Sequence, residues 1–217
     1  MHSIKTKICH INVSEWFPPN DPIATSIARL CVLREDLYLE LRGTVDEPIP
    51  PLDECSTDWR EIHFFRNSVR TLLEIRSAIE TLKKSETDFA SVLSLQPAPL
   101  NGALQDLSDA LEEAHTIIKK LRNEVGGHLS HQALGEALQR IAPETSCLLQ
   151  MGDKAKEIHY KFALEFIGAT MLRHVEFVEA ENEWEDILSK TYALGFKAIS
   201  SIDMLFVAYS RIRNLSI

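Results

Sequence analysis

Residues 111–134 read LEEAHTIIKKLRNEVGGHLSHQAL, and the rest of the chain is organised around this stretch. The pattern of its first half breaks at Gly126-Gly127, because paired glycines end or redirect a helix. Helical apolar spacing resumes with Leu134, Leu138 and Ile141, so the stretch predicts two helices joined at the glycine pair. The apolar side chains of the first helix recur at three- and four-residue spacing, as in an amphipathic helix: Leu111, Ala114, Ile117, Ile118 and Leu121.

Helical spacing also dominates the sequence before this stretch. Asn20 or Asp21, followed by Pro22, is typical of a helix start, with a capping side chain and a proline in the first turn. We expect this helix to span residues 20–42 and to end at Gly43.

A proline-rich segment, residues 44–56, separates this helix from the next one, since its prolines exclude a regular helix. Asp58 and Glu61 have the spacing of a capping box and predict the next helix start. The further helices expected from the apolar pattern are 58–84, 86–95, one that opens at Asn101 and leads into the central stretch, 130–142, 161–179 and 182–213.

These elements predict an all-α fold, a bundle of four to five long helices with short helices between them. Residues 1–19 are expected to lie over the bundle as an N-terminal arm that could include a short strand. Residues 146–160 predict either a small β-hairpin or a loop. Residues 20–217 would then form a single helical domain.

The chain is acidic, but its charge is unevenly distributed. The formal net charge of −9 argues against a protein that coats nucleic acid with its whole surface. Residues 165–186 carry seven acidic side chains against Arg173 alone, whereas residues 115–140 carry four basic side chains and three histidines against Glu124 and Glu136. The sequence therefore allows a local basic site around the central stretch.

Nothing in the sequence predicts export or membrane insertion. No uninterrupted apolar run is long enough to cross a bilayer, and the first residues lack the apolar segment of a secretory signal. The four cysteines are widely separated, form no CxxC pair, and are expected to be reduced thiols. These features predict a cytoplasmic protein without membrane contact.

Arg122 and His128 flank the glycine pair, and together they could cleave a phosphodiester without a metal. Arginine can hold a phosphate through two hydrogen bonds, and histidine can move a proton to or from a ribose hydroxyl near neutral pH. In a regular helix the two side chains would diverge, but the glycines can redirect the second. The alternative is structural: Arg122 would favour the carboxyl end of a helix, and His128 would begin the next helix.

Residues 122–128, RNEVGGH, resemble the signature of HEPN domains (higher eukaryotes and prokaryotes nucleotide-binding). That signature is an arginine, usually followed by a polar residue such as asparagine, with a histidine a few positions later. Asn123 occupies the polar position here. HEPN domains are all-α bundles, so the resemblance implies the fold class that the helical pattern also predicts.

The resemblance implies a homodimeric endoribonuclease in which two motifs face each other across the interface. The ribose 2′-hydroxyl would attack its own phosphate, with His128 as general base or acid and Arg122 on the scissile phosphate. Asn123 would hold the geometry of the motif or contact the backbone. Further substrate contacts are expected from three neighbouring side chains, Lys119, Lys120 and His131.

A toxin–antitoxin or defence setting is also implied for such a nuclease. The alternative, from a different functional class, is a catalytically inactive HEPN-like bundle that binds a partner protein or a nucleotide. An antitoxin or a nucleotidyltransferase is the kind of partner that the resemblance implies.

We expect neither a metal nor a cofactor. His128 and His131 lack the further ligands at recognisable spacing that zinc sites use. Glu112 and His115 have one Glu-x-x-His spacing, but a di-iron bundle needs a second pair on another helix. The chain has no glycine-rich phosphate loop and no dinucleotide fingerprint.

Overall fold

The computed structural model describes residues 11–45, 54–85, 87–124, 131–140, 162–171 and 180–215, and every regular element in them is a helix. The all-α prediction is confirmed. The segment 146–160, predicted as a hairpin or a loop, lies outside the described residues. In chain order the elements are α1 (Val13–Trp16), α2 (Pro22–Val45), α3 (Glu54–Ser85), α4 (Thr87–Ser94), a 3₁₀ turn (Leu100–Gly102), α5 (Ala103–Glu113), α6 (His115–Glu124), α7 (His131–Arg140), α8 (Phe162–Met171) and α9 (Ala180–Ile212).

Three long helices, α2, α3 and α9, form the centre of the bundle, and α5 packs on α3 and α9. Their inward faces follow the predicted apolar spacing. Phe65, Leu72 and Ile79 of α3 are almost fully buried, as are Leu30 and Leu37 of α2. Burial of this continuous apolar core is the main stabilising contribution to the fold.

The packing of α2 on α3 is antiparallel. Arg29, near the start of α2, donates to Glu74 at 2.7 Å, whereas Gly43, near its end, faces Phe64. A Cβ atom at Gly43 would lie 2.5 Å from Cδ2 of Phe64, so only glycine fits here. The prediction that Gly43 ends α2 is wrong, because the helix continues to Val45 and uses the glycine for close approach to α3.

The two predicted helix starts have different outcomes. The start at Asp21 is confirmed, since its Oδ1 accepts the backbone N–H of Ala24 at 3.0 Å. The capping box at Asp58 and Glu61 is wrong, because α3 already begins at Glu54 and both residues lie inside the helix. A polar pair at capping spacing is thus compatible with a helix interior when the preceding residues also accept helical geometry.

The N-terminal arm can be described from residue 11 onward. Val13–Trp16 forms a single helical turn rather than a strand. The Trp16 ring is buried and stacks on Phe206 with ring centroids 5.5 Å apart. Its carbonyl oxygen accepts a hydrogen bond from the Tyr209 hydroxyl. Both contacts attach this part of the arm to α9.

Not every apolar position on a helical stripe faces inward. The apolar spacing of residues 182–213 predicts that Phe196 of α9 is inward, yet it is 58% exposed, and Ile117 of α6 is 44% exposed. Ile202 and Leu205, also predicted to face inward, are buried together with Ala198 on the side of α9 that faces the bundle.

Within α9, residues Glu185–Ile212 are long and apolar enough to cross a membrane, judged by length and composition alone. Half of the most apolar window is buried inside the protein. Core helices of globular proteins pass the same test, so the observation establishes no location in the cell. The cytoplasmic location stays a prediction.

Candidate functional site

The helices α5 and α6 form a nearly continuous helical rod that includes residues 111–124 of the central stretch. A turn at Ala114 separates the two helices, but backbone hydrogen bonds run through it. Ala114 N–H donates to the Ala110 carbonyl at 3.2 Å, and Ile118 N–H donates to the Ala114 carbonyl at 3.0 Å. Leu111, Ile118 and Leu121 are buried, so one face of the rod packs on the bundle and the other faces solvent.

A cluster of ion pairs fixes this rod against α3. Arg76 of α3 donates to Glu112 of α5 at 2.7 Å and pairs with Glu80 at 2.9 Å. About two turns further along α3, the Lys83 ammonium donates to the Ser108 hydroxyl at 2.6 Å. The hydrogen bond from Arg76, together with its charge, lowers the pKa of the Glu112 carboxyl. These contacts set an antiparallel register, in which the chain of α6 runs toward the start of α3.

Arg122 and Asn123 lie on the last described turn of α6, and both side chains are exposed. Arg122 Nη1 lies 3.5 Å from Asn123 Oδ1, at the outer limit of a hydrogen bond. A cation in the last turn also interacts favourably with the helix dipole. Arg122 pairs with no carboxylate in the described part of the chain, so its guanidinium is available to an anion in solvent.

The other predicted site residues are only partly brought together. Lys119 is exposed one turn before Arg122, and Lys120 belongs to the same helix. His131 is exposed at the first position of α7, a helix that packs on α8, which in turn contacts α6. His128 lies outside the described residues. The pairing of its imidazole with the Arg122 guanidinium therefore stays a prediction.

A small pocket of about 160 Å³ lies between α3 and α5. The Arg76 guanidinium that lines it is already engaged by two carboxylates, and Asp109 adds a further negative charge. The pocket is thus unsuited to an anionic ligand, and its ion pairs serve to position the rod. Among the described residues, no group of three or more histidine, cysteine, aspartate or glutamate side chains could hold a metal.

Sequence reasoning missed a set of basic side chains on α3. Arg70 and His63 are exposed on its outer side, and His63 Nε2 and Asn67 Nδ2 are 3.0 Å apart. Arg66, one turn before Arg70, is half-buried, and this burial lowers the pKa of its guanidinium. The signal was present in the sequence, because residues 62–73 contain no acidic side chain.

Two further titratable groups have raised pKa values, the partly buried Cys31 and the buried Glu40. Burial raises the pKa of the Cys31 thiol to about 11, so this cysteine stays protonated and is a poor nucleophile. Burial likewise raises the pKa of the Glu40 carboxyl to about 7. Its Oε1 accepts the Thr71 hydroxyl at 3.0 Å between α2 and α3, where a substrate has no access.

The described residues thus form an all-α helical protein of net charge −9 that carries exposed basic side chains on α3 and α6, among them Arg70, Lys119 and Arg122. Comparisons with protein families, with curated proteins and with solved structures find no match to it.

Proposed function

We propose that the protein is a HEPN-like RNA-binding bundle that cleaves RNA without a metal. The observation that carries the proposal is the exposed Arg122 beside Asn123 at the end of α6, with no carboxylate paired to the guanidinium in the described residues. An exposed, uncompensated arginine in an acidic protein is suited to a phosphate, to which it can donate two parallel hydrogen bonds.

In the proposed reaction the ribose 2′-hydroxyl loses its proton to His128, and its oxygen attacks the adjacent phosphorus. The bond from phosphorus to the 5′-oxygen breaks, and that oxygen takes a proton from an acid such as His131 or water. The products are a 2′,3′-cyclic phosphate and a free 5′-hydroxyl. Arg122 stabilises the charge that builds up on the phosphoryl oxygens, and Asn123 holds the motif in place.

The proposal includes a homodimer, in which a second copy brings its own motif to the same substrate. Light scattering on the purified chain measures this directly. A toxin–antitoxin or defence setting is the biological context that fits such an enzyme. A strictly monomeric protein that cleaves RNA would contradict the dimer and leave the chemistry in place.

The decisive experiment incubates end-labelled RNA with the purified protein in the presence of a chelator. We expect cleavage that leaves cyclic phosphate ends, and a loss of at least about a hundredfold in rate for His128→Ala. Arg122→Gln should cause a comparable loss, while Arg211→Gln, which removes an exposed arginine from α9, should retain the activity. Wild-type activity equal to that of the two motif variants would overturn the enzyme proposal. RNA binding without cleavage would identify the inactive binding module instead.

A further inference from the structure

The outer side of α9 carries an exposed stripe without charges. Its members recur every three to four residues, so they share one face of the helix over about three turns. Because 25% of the residues in the whole chain are charged, an exposed helix face of this length without a charge is unusual in this protein. Phe196, near the middle of the stripe, is 58% exposed. The members of the stripe are Ser189, Ala193, Phe196 and Ser200.

Two further apolar side chains extend this surface onto α2. Val32 and Leu39 are seven residues apart, which places them on the same face of the helix, and they are 62% and 63% exposed. Leu37, two residues before Leu39, is buried, so Leu39 projects from the side of α2 opposite to the core. Large apolar side chains grouped in solvent in this way are typical of surfaces that bind another protein.

Two contacts show that the exposed residues of α2 and α9 lie side by side. Asp203, seven residues after Phe196 on the same face of α9, accepts the Arg34 guanidinium of α2 at 3.0 Å. One residue before Phe196, a Cβ atom at Gly195 would lie 2.8 Å from Cδ1 of Leu41. The two helices are therefore antiparallel, and Phe196 lies on the flank of α9 that is next to α2. We call this surface the α2–α9 face and define it by Val32, Leu39, Ala193, Phe196 and Ser200.

Two charged side chains of α2 border the α2–α9 face. Arg34 donates to both carboxyl oxygens of Asp203, at 3.0 and 3.1 Å, and pairs with Glu35 at 2.9 Å. Because one guanidinium serves two carboxylates, these three groups together carry a negative charge, and the Glu35 side chain remains 65% exposed. Arg42 is exposed two turns further along α2, where its guanidinium lies 5.8 Å from the centre of the Tyr38 ring. The rim thus presents an acidic and a basic group about 10 Å apart along the helix.

The order of these two charges is complementary to itself. When a second copy of α2 crosses the face in the antiparallel direction, Glu35 of each copy lies opposite Arg42 of the other copy. The twofold axis then passes midway between the two charges, next to Leu39, and Phe196 of each copy lies near this axis. A parallel copy would instead place like charges at the same level, which is unfavourable.

We infer that the α2–α9 face is a homodimer interface, in which the two α2 helices pack antiparallel around Leu39 and Phe196. An apolar centre that lacks charges, with charged groups at the rim, is the usual composition of protein interfaces. The face contains none of the residues of the motif, and α6, which carries Arg122, packs on α3. The inference therefore goes beyond the proposed function and adds a contact that is separate from the one between two motifs.

Sedimentation velocity of the full chain, at concentrations up to about 100 µM, measures the association. Leu39→Arg introduces a charge next to the proposed axis. The matched control is Leu95→Arg, because Leu95, directly after α4, is 81% exposed on another part of the protein. We expect Leu39→Arg to weaken association at least about a hundredfold and to halve the mass of the wild-type assembly, and Leu95→Arg to leave the mass unchanged. Circular dichroism verifies that each variant keeps its helical content.

A second measurement tests the antiparallel register. Glu35→Arg places two arginines opposite each other in both charge pairs, and Arg42→Glu places two glutamates there. Each variant alone should associate at least about tenfold more weakly than the wild type, because like charges then meet at the rim. An equal mixture of the two variants should form heterodimers with an affinity within about threefold of the wild type, since both pairs are again attractive.

A wild-type chain that sediments as a monomer throughout this range would overturn the inference. So would an assembly whose mass is unchanged by Leu39→Arg, because association would then use another face, such as the one that contains the motif. A mixture of Glu35→Arg and Arg42→Glu that stays as weak as its components would overturn the antiparallel arrangement around Leu39. The cleavage assay has a different readout, so each of these outcomes leaves the proposed chemistry at Arg122 unaffected.

Discussion

Replacing Glu40 by glutamine should affect the free energy of unfolding more favourably in mildly alkaline solution than in acid. Glu40 lies on α2 against α3 and is only 9% exposed. Thr71 donates a hydrogen bond to one carboxyl oxygen at 3.0 Å, while the other oxygen has no hydrogen-bond partner in the described residues. An ionised carboxylate in this position loses hydration that a single hydrogen bond does not replace.

The expected magnitude follows from the pKa. Burial raises the pKa of Glu40 from its ordinary value of 4.5 to about 7, and the charge of Asp36 adds to the increase. The hydrogen bond from Thr71 and the charge of Arg70 act in the opposite direction. At about 1.4 kcal/mol per pKa unit, the difference between the folded and the ordinary value corresponds to about 3 kcal/mol.

The sign of the pH dependence is that of a carboxyl with a raised pKa. Below the ordinary value of 4.5 the group is protonated in both the folded and the unfolded chain, and it causes no penalty. As the pH rises, the unfolded chain loses the proton first, so the free energy of unfolding decreases. The loss is complete once the pH exceeds the folded value of about 7.

Urea unfolding of the wild type and of Glu40→Gln, at several values between about pH 5 and about pH 8, measures this effect. The glutamine places an amide group where a carboxyl oxygen was, and the resulting cost of about 1–3 kcal/mol is the same at each pH. The informative quantity is therefore the change with pH in the difference between the two proteins. Glu35→Gln controls for the loss of one negative charge on the exposed side of α2. A change of less than about 1 kcal/mol for Glu40→Gln across this range would refute the reasoning.

Two further substitutions test the packing of the bundle. Tyr209→Phe removes the hydroxyl that donates to the Trp16 carbonyl, and it should cost about 1 kcal/mol and speed proteolytic cleavage near α1. If proteolysis of the arm is unchanged, that hydrogen bond does not hold it. Gly195→Ala places a Cβ 2.8 Å from Cδ1 of the buried Leu41, and it should cost about 1–3 kcal/mol in urea unfolding. Gly135→Ala, which meets no atom within 4 Å, should be neutral or stabilising by up to about 1 kcal/mol. Equal effects at the two glycines would show that close packing does not decide the outcome.

The long helices could be predicted from the sequence because their apolar positions repeat over many turns. In α2 and α3 the apolar residues at helical spacing, such as Leu37 and Phe65, are buried. The structural roles of single residues are predicted less well. Gly43 carries the same local signal as a helix stop, and only the Phe64 ring of α3 shows that it serves a close approach. A glycine's role depends on what lies opposite, which the local pattern does not contain.

Phe196 shows the same limit for burial. Its spacing places it near the apolar stripe of α9, yet the side chain is 58% exposed. The apolar stripe of a helix can be wider than the surface that neighbouring helices cover, and the residues at its edge are then exposed to solvent. How much of the stripe is covered depends on tertiary packing, which the local pattern does not contain.

The candidate site was predicted as a local motif, and the basic side chains of α3 were not part of that prediction. Arg122 and Lys119 could be identified along the chain, because they belong to one short basic segment. Arg66 and Arg70 are about fifty residues earlier, and no local signal joins them to the motif. Arg66 and Arg70 lie on α3, which packs antiparallel on α5 and α6. The ion pair between Arg76 and Glu112 fixes this packing, and the local sequence pattern does not contain it.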